Sequence, residues 1–410
     1  MGLDLVIRNA RIAGCETEPI DIGILGGRFV AIQQSLPSSL CEIDAAGRLL
    51  APGFVETHIH LDKSHLLGRC ACQSDSLDEA IAAVARAKRD FTEEDVYERA
   101  RLTVEKAIMH GTMRMRAHVE VDPRVGLISF RALRQLQIDY AWGVDLQLCV
   151  FPQEGLLDDP GCEDVLIAAL EQGADVVGGA PYMDKDSRKH IARIFALAQR
   201  YDRDIDLHLE FSLEEPGLDL EEVCRLTAQT GWGRRVAIGH VTTLSTATRA
   251  TLKILAAQLA DCGIAITALP ATDLFLMGRQ FDHNVPRGLA PVHRLLAHGV
   301  TCSLSTNNVL NPFTPFGDCS LVRIANFYAN VAQVGDAADM AACFDMITVR
   351  SAELLNLPDY GIAVGNPADF VVMDCETRAQ AVSEIAPVRL GFKAGKRTFS
   401  RPSAELHRPG

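Results

Sequence analysis

The sequence lacks several patterns, and each absence excludes a class of protein. No uncharged apolar run reaches the ~20 residues that a membrane-spanning helix needs, so we expect no membrane span. Lysine and arginine together number 40, against 53 aspartates and glutamates. The resulting charge of −13 disfavours a nucleic acid partner, because phosphate binding needs a basic surface.

The sequence also lacks the paired CxxC motifs of common zinc sites. The twelve cysteines are scattered and form no pair of CxxC motifs. Cys70 and Cys72 are the one close pair, and their spacing is typical of no common zinc site. We expect free thiols in a reducing compartment. The first residues, MGLDLVIRNARI, carry charges and alternate like a strand, so we expect no signal peptide and a cytoplasmic protein.

The composition is that of an ordinary globular protein, and the chain contains two kinds of sequence pattern. Hydrophobic residues make up 48% and charged residues 23% of a chain of 410 residues, a length above the usual ceiling for one hydrophobic core. The first fifty residues, and the last stretch from ADFVVMD onward, are rich in short alternating strands and tight turns. We therefore predict that both ends of the chain build one small sheet domain.

The middle of the chain predicts a (β/α)₈ barrel. Helical stretches such as TEEDVYERARLTVEKAIMHG alternate with short apolar runs such as DIDLHLEF and RVAIGHV. Runs without polar alternation are typical of strands buried on both faces of a parallel sheet. With FVETHIHLD as the first strand, the middle holds eight such strands, a count that fits a closed barrel better than an open doubly wound sheet.

Polar residues gather at the predicted C-terminal ends of these strands, the rim where barrel enzymes carry catalytic groups. They are His58 and His60 (first strand), His118 (second), Gln153 (third), His208 and Glu210 (fifth), His240 (sixth), and Thr306, Asn307 and Asn308 (eighth). His58 and His60 are two residues apart, so a strand directs both imidazoles to one side, where they suit Zn²⁺ or Fe²⁺. An HxH pair alone is also common outside metal sites, and the context APGFVETHIHLDKS adds weight to the metal interpretation.

Four segments resemble the cytosine deaminase-like branch of the amidohydrolase superfamily, and the resemblance covers nearly the whole chain. They are PGFVETHIHLDKS, the region from VFPQEGLL to DIDLHLE, GRRVAIGHVTT, and NVLNPFTPFGD followed by DYGIAVGNPADFVVMD. The resemblance implies a (β/α)₈ TIM barrel of residues 51–362, a β-sandwich of residues 1–50 and 363–410, and one divalent metal ion, zinc or iron. Members of the branch are often homo-oligomers, although the sequence carries no interface signature.

The resemblance also implies a set of site residues. His58 and His60 match the first two metal ligands, His208 matches the third, and His240 matches a histidine that contacts the metal or its bound water. Gln153 matches a glutamine that reads an amide-like edge of a pyrimidine ring, since its side chain offers both a donor and an acceptor. Outside a metal site, His208 and His240 would be hydrogen-bonded core histidines.

Two positions depart from the pattern of the branch. Asn307 stands where the branch has an aspartate that binds metal and shuttles the proton, and Phe211 stands where cytosine deaminases have a glutamate. An amide can ligate weakly through oxygen but cannot accept the proton at neutral pH. Authentic cytosine deaminase activity is therefore disfavoured.

Two side chains are candidates to replace the missing proton carrier. Glu210 comes two residues after His208 and is expected on the same side of the strand, where similar triazine hydrolases carry a histidine; alternatively, it orients a ligand. Lys63 matches a lysine of those hydrolases and could polarise a carbonyl group or hold a carboxylate. Alternatively, Lys63 forms a salt bridge with Asp62 or Asp184.

Further residues are assigned to the pocket. His118 and Asp184 are expected to line it or to support it from behind. The segment LMGRQFDHNVPRG resembles the cap of the deaminase pocket. In it, Arg279, His283 and Arg287 would select a polar or anionic ring substituent; alternatively, they are solvated loop charges.

The sequence thus predicts a metal-dependent hydrolase of a C–N bond in a small nitrogenous heterocycle or its amine substituent. Glu210, Lys63 and His240 would act in catalysis. Two alternatives stay open. One is a catalytically decayed barrel that holds little metal and has a binding or regulatory role. The other is metal-free hydrolysis by Lys63 and Glu210.

Overall fold

The computed structural model describes residues 2–70, 76–214 and 218–408. In chain order, the strands are β1 (Leu5–Ile12), β2 (Cys15–Leu25), β3 (Arg28–Gln33), β4 (Glu42–Asp44), β5 (Leu49–Pro52), β6 (Phe54–Ile59), β7 (Thr112–Glu120), β8 (Asp145–Phe151), β9 (Val176–Gly179), β10 (Asp204–Leu209), β11 (Val236–His240), β12 (Ile264–Ala268), β13 (Cys302–Leu304), β14 (Phe370–Met373), β15 (Val388–Lys393) and β16 (Lys396–Ser400). The helices are α1 (Leu77–Ala87), α2 (Glu93–Met109), α3 (Ile128–Asp139), α4 (Cys162–Glu171), α5 (Ser187–Tyr201), α6 (Leu218–Thr230), α7 (Arg249–Cys262), α8 (Pro270–Leu276), α9 (Val292–Leu296), α10 (Leu321–Ala332), α11 (Ala337–Asp345), α12 (Val349–Leu354) and α13 (Arg378–Ser383).

Strands β6 to β13 form one sheet of parallel strands in chain order, which confirms the predicted barrel. Every residue of β6, β11 and β12 is buried, as expected for apolar strands inside a ring of helices. The barrel closes where the backbone N–H of His60 donates to the carbonyl oxygen of Asn307 at 2.8 Å and the N–H of Asn307 donates to the carbonyl oxygen of His58 at 2.9 Å. Closure therefore brings these three residues side by side at the rim.

Helices α2 to α7 each connect two consecutive barrel strands, and α7 shows how such a helix is bounded. Helix α7 begins where the Thr248 side chain accepts the backbone N–H of Thr251 at 3.1 Å. It ends at Gly263, whose left-handed φ of +66° suits a residue without a side chain. Such short connections place each strand's C-terminal end at the same rim.

A second sheet is built from both termini, as predicted. Its strands run in the order β16-β15-β14-β5-β1-β2-β3, with β4 paired to β1. The antiparallel pairing of Leu50 with Val372 joins the two ends of the chain. Phe370 and Phe392 stack at 4.7 Å between ring centroids within its apolar core. The division of the chain at residues 50 and 363 stays a prediction.

Two expectations about composition concern the whole chain. The cysteines of the described part are all free thiols, as expected, and Cys72 lies outside the described residues. Among the described helices, none has the length and apolar character needed to cross a membrane.

Candidate metal centre and active site

Three predicted histidines converge at the rim of the barrel. The Nε2 atom of His208 lies 3.1 Å from Nε2 of His58 and 3.1 Å from Nε2 of His60. Burial lowers the pKa of all three imidazoles well below the ordinary value, and neighbouring positive charge lowers it further. Each ring is therefore neutral and has a lone pair available, as a metal ligand requires.

The polar atoms around the three Nε2 atoms are suited to binding a divalent metal ion. Neither polar atom of the Asn307 side chain has a hydrogen-bond partner among the described residues, although Asn307 is only 1% exposed. A buried polar group without a partner costs about 1–3 kcal/mol, so this amide, at the rim beside His58 and His60, points to a ligand. Imidazole nitrogens with an amide oxygen form a donor set that Zn²⁺ or Fe²⁺ accepts. A group of His58, His208 and His240 has ligand atoms within 4.8 Å of one another.

His240 ends β11 and is held by a carboxylate that the sequence reasoning missed. Its Nδ1 atom lies 2.7 Å from Oδ1 of Asp273, which is buried in α8. Asp273 follows the seventh barrel strand, the kind of position where the other candidates were found, so its place in ITALPATD was the available signal. The carboxylate draws the ring proton to Nδ1 and leaves the Nε2 lone pair of His240 free.

Lys63 is buried and pairs with a different carboxylate from those expected. Its Nζ donates to Oε1 of Glu120 at 2.7 Å and to Oε1 of Gln153 at 3.0 Å. The expected alternative, a salt bridge with Asp62 or Asp184, is wrong: β7 pairs with β6, so Glu120 at the end of β7 lies beside Lys63 and is its partner. Glu120 stands in AHVEVD at the end of the next barrel strand, so its place in the sequence was the available signal.

A second buried lysine continues this network. The Nζ atom of Lys88 lies 3.1 Å from Oε2 of Glu120, 2.5 Å from Asp122 and 2.5 Å from Glu154. Burial would raise the pKa of Glu120, but Lys63 and Lys88 outweigh it and hold that pKa at about 2. Glu120 is thus ionised and fixed between two ammonium groups. Sequence reasoning missed Lys88, which no spacing pattern links to the rim.

These residues surround a small cavity. Among the predicted site residues, six line it: His60, Lys63, Gln153, His208, His240 and Asn307. The other lining residues are Leu77, Tyr182, Phe211, Thr272, Asn308 and Phe313. Phe211 packs on His240 at 4.0 Å between ring centroids, so an apolar ring occupies the place expected for a glutamate in cytosine deaminases.

Glu210 does not line this cavity, and the inference that it faces the same side as His208 is wrong. Strand β10 ends at Leu209, and Glu210 turns into a left-handed conformation with φ +47°. Its carboxylate accepts the backbone N–H of Leu220 at 2.9 Å and the hydroxyl of Thr243 at 2.6 Å. The strand alternation on which the inference depended has already ended at this residue.

His118 and Asp184 support the site from behind. The His118 ring stacks on His58 at 3.7 Å between centroids. The Asp184 carboxylate accepts the backbone N–H groups of Leu156 and Asp158, at 2.9 and 3.0 Å, and lies 2.6 Å from Nδ1 of His190. Although burial opposes it, His190 and the N–H donors hold the pKa of Asp184 well below its usual range. Asp184 thus fixes the loop that follows Gln153.

The charged residues of the predicted cap lie in solvent, so their expected position in the pocket is wrong. Arg279 is exposed, and its guanidinium lies 4.3 Å from the centroid of the Phe275 ring. The His283 side chain is 80% exposed and pairs with Asp282. Arg287 is exposed and donates to Gln333 at 3.2 Å. The alternative interpretation as solvated loop charges fits this geometry, because none of the three side chains lines the cavity.

Known proteins share this fold and sequence pattern. The chain is 27% identical over 403 residues to the N-isopropylammelide isopropyl amidohydrolase of Pseudomonas sp. (strain ADP), covering 96% of each chain. It is 28% identical over 366 residues to a pterin deaminase of Rhizobium rhizogenes, covering 88% of this chain and 83% of that protein. A crystal structure of 5-methylcytosine deaminase from Klebsiella pneumoniae, liganded with phosphonocytosine, superposes with a TM-score of 0.93 at 29% identity, covering 98% of this chain and 100% of that one.

The family assignment rests on most of the chain. Residues 49–398 match the amidohydrolase family. The match confirms the resemblance inferred from the motifs and, at the level of class, the prediction of a hydrolase that acts on carbon–nitrogen bonds. The chain belongs to the amidohydrolase family.

Proposed function

We propose that this chain is a metal-dependent hydrolase that cleaves a C–N bond of a small nitrogenous heterocycle or of its amine substituent. The observation that carries the proposal is the convergence of the neutral imidazoles of His58, His60 and His208 beside a cavity that also contains Lys63 and Gln153. The relatives support the substrate class, since their names give an N-alkylated ammelide, a pterin and a methylated cytosine as the compounds on which they act.

Four residues would hold the ion. His58, His60 and His208 would bind zinc or iron through Nε2, and the Asn307 amide oxygen would add a weak ligand. When bound, such an ion supplies a water molecule whose pKa falls toward ~7. Since Asn307 cannot take up the proton that this water loses, another group must do so.

His240 is the proton carrier that the geometry supports. Its Nδ1–H is held by Asp273 at 2.7 Å, so the Nε2 lone pair is available to the cavity that His240 lines. In hydrolysis, a C–O bond to water forms and the C–N bond breaks. His240 takes one water proton and returns it to the departing amine, which balances the reaction. Neighbouring Phe211 excludes bulk water from that proton.

Lys63 binds substrate in this proposal. Its side chain is 1% exposed, pairs with Glu120 at 2.7 Å and acts as a hydrogen-bond donor. Metal-free catalysis by Lys63 and Glu210 has no support, because the Glu210 carboxylate is bound to Leu220 and Thr243 outside this cavity.

The test combines metal content with activity. The protein is produced with added zinc or iron, analysed for metals, and assayed for amine release from amino- and alkylamino-substituted pyrimidines, triazines and pterins. We expect about one equivalent of metal per chain, as in other catalytic sites of this kind, and release from at least one ring class. Less than about a tenth of an equivalent, with no release from any ring, would contradict the proposal.

The Asn307→Asp variant separates an altered enzyme from a decayed one. We expect the wild-type protein to release amine and the variant to change the pH dependence of release, since a new carboxylate can share the proton. If release occurs only in Asn307→Asp, the wild-type chain is a decayed enzyme. Asn356→Asp, an exposed amide outside the cavity, is the matched control.

A further inference from the structure

Several groups around the cavity can only donate or only accept hydrogen bonds. These groups fix the orientation of the amide side chains beside them. An ammonium donates and never accepts, so the atom of Gln153 that lies 3.0 Å from Lys63 Nζ must be the amide oxygen. The Nε2 group of Gln153 therefore points away from Lys63. Gln153 lines the cavity together with Tyr182.

Asn308 is a second amide side chain that lines the cavity, and its orientation is fixed by its neighbour Asn311. Asn311 Oδ1 accepts the backbone N–H groups of Phe313 and Thr314, at 3.0 and 3.1 Å. Asn311 Nδ2 donates to the Lys63 carbonyl oxygen at 3.1 Å. Because backbone groups fix both ends of Asn311, its Nδ2 must also be the donor to Asn308 Oδ1 at 2.7 Å. Asn308 is left with Nδ2, a donor, to offer to the cavity.

Lys63 cannot turn away to release Gln153. Its ammonium is 1% exposed, lies 2.7 Å from Glu120 and lies 4.3 Å from the centroid of the Phe313 ring. Glu120 is itself held by Lys88 at 3.1 Å. Two of the three Lys63 N–H groups are used by Glu120 and Gln153, and the third remains for the cavity.

We propose that Lys63, Gln153 and Asn308 form a donor wall that selects a heterocycle by an edge with two adjacent acceptors, a carbonyl oxygen beside an unprotonated ring nitrogen. The edge expected from the sequence, a carbonyl beside a ring N–H, needs an acceptor from Gln153. One lone pair of the Gln153 oxygen already accepts from Lys63, and an N–H aimed at the other would bring its positive hydrogen toward the ammonium. Because Glu120 compensates Lys63, the wall does not require an anionic ring.

The inference rests on the proposed function for the location of the substrate, but its test needs no turnover. Calorimetry on the purified protein with its metal compares 1-methylpyrimidin-2-one, which has an unprotonated nitrogen beside the carbonyl, with 1-methyl-3,4-dihydropyrimidin-2-one, which has an N–H there. Neither compound carries an amine leaving group. We expect the first to bind at least about tenfold more tightly, the size of one mismatched buried hydrogen bond.

The Gln153→Glu variant reverses the polarity of the wall. One carboxylate oxygen still accepts from Lys63 and the other becomes an acceptor toward the cavity, so the dihydro compound should now bind more tightly. Gln172→Glu, the same change at an exposed position on the helix side of the barrel, should keep the wild-type order.

Three results would overturn the donor wall: equal or tighter binding of the dihydro compound by the wild type, no binding of either compound up to its solubility limit, or an unchanged order in a folded Gln153→Glu protein. If Gln153→Glu fails to fold, the wild-type comparison still decides. A protein that shows the expected order but releases no amine from any substrate would retain the wall and refute the proposed hydrolase.

Discussion

The Nδ1 atom of His240 lies 2.7 Å from a carboxylate oxygen of Asp273, and both side chains are buried. This pair joins the end of the sixth barrel strand to the helix that follows the seventh, and His240 lines the cavity. A carboxylate on one ring nitrogen sets the tautomer and raises the basicity of the other nitrogen.

We expect Asp273→Asn to reduce kcat/KM by about 10²–10⁴-fold, the usual contribution of a positioned acid–base group. The amide can present either its oxygen or its nitrogen to Nδ1, so the tautomer is no longer fixed. Steady-state kinetics across pH would measure the loss. Asp282→Asn is the matched control, since Asp282 pairs with His283 in solvent. An unchanged pH profile in Asp273→Asn would contradict the role of the pair.

Metal binding should stabilise the fold. The ligands come from β6 and its continuation and from β10, and an unfolded chain does not hold them together. Thermal melts should therefore show that chelation lowers Tm and that added zinc or iron restores it. In His208→Ala, added metal should no longer raise Tm. His190→Gln, a buried histidine outside the site, should lower Tm yet keep the response to metal; loss of that response there would argue against the assigned ligands.

Lys88→Met should be strongly destabilising. The change leaves Glu120, Asp122 and Glu154 without their shared cation, and breaking a buried ion pair costs about 3–5 kcal/mol. The loss should shrink as pH falls, because the carboxyl groups can then take up protons. Urea unfolding at several pH values would measure it. Lys189→Met removes an exposed ion pair with Asp186 and should cost at most about 1 kcal/mol. Similar costs for the two variants would refute the buried cluster as a source of stability.

Asp184 should contribute stability that depends on pH with a definite sign. The pKa of Asp184 is depressed in the folded protein, so its contribution is present above the unfolded value of about 4 and is lost as pH falls through the folded pKa. The difference in unfolding free energy between wild type and Asp184→Asn should be largest near neutral pH and should decrease below about pH 4. Asp359→Asn, at an exposed position, should show no such trend. A difference that grows on acidification would contradict the assignment.

The barrel and its histidines could be predicted because both depend on local patterns. Unalternating apolar runs indicate buried parallel strands, and residues at their ends share a rim. Glu210 was misplaced because the strand ends one residue earlier than the alternation implied. Which side chains pair at the rim could not be predicted, since Lys63 and Glu120 follow neighbouring strands but are 57 positions apart in the sequence. The orientation of the Gln153 amide likewise depends on its contact with Lys63, which is 90 positions away in the sequence.

The backbone pairing of His58 and His60 with Asn307 has a consequence for how the protein is made. A ribosome synthesises the two histidines first, His208 follows 150 residues after His58, and the segment that closes the barrel comes last. His208, the third imidazole, is synthesised when about half of the sequence has been made, and Asn307 when about three quarters has been made. Assembly of the centre is therefore a late event of biosynthesis, and a ribosome stalled before residue 307 should carry a chain that retains no tightly held metal.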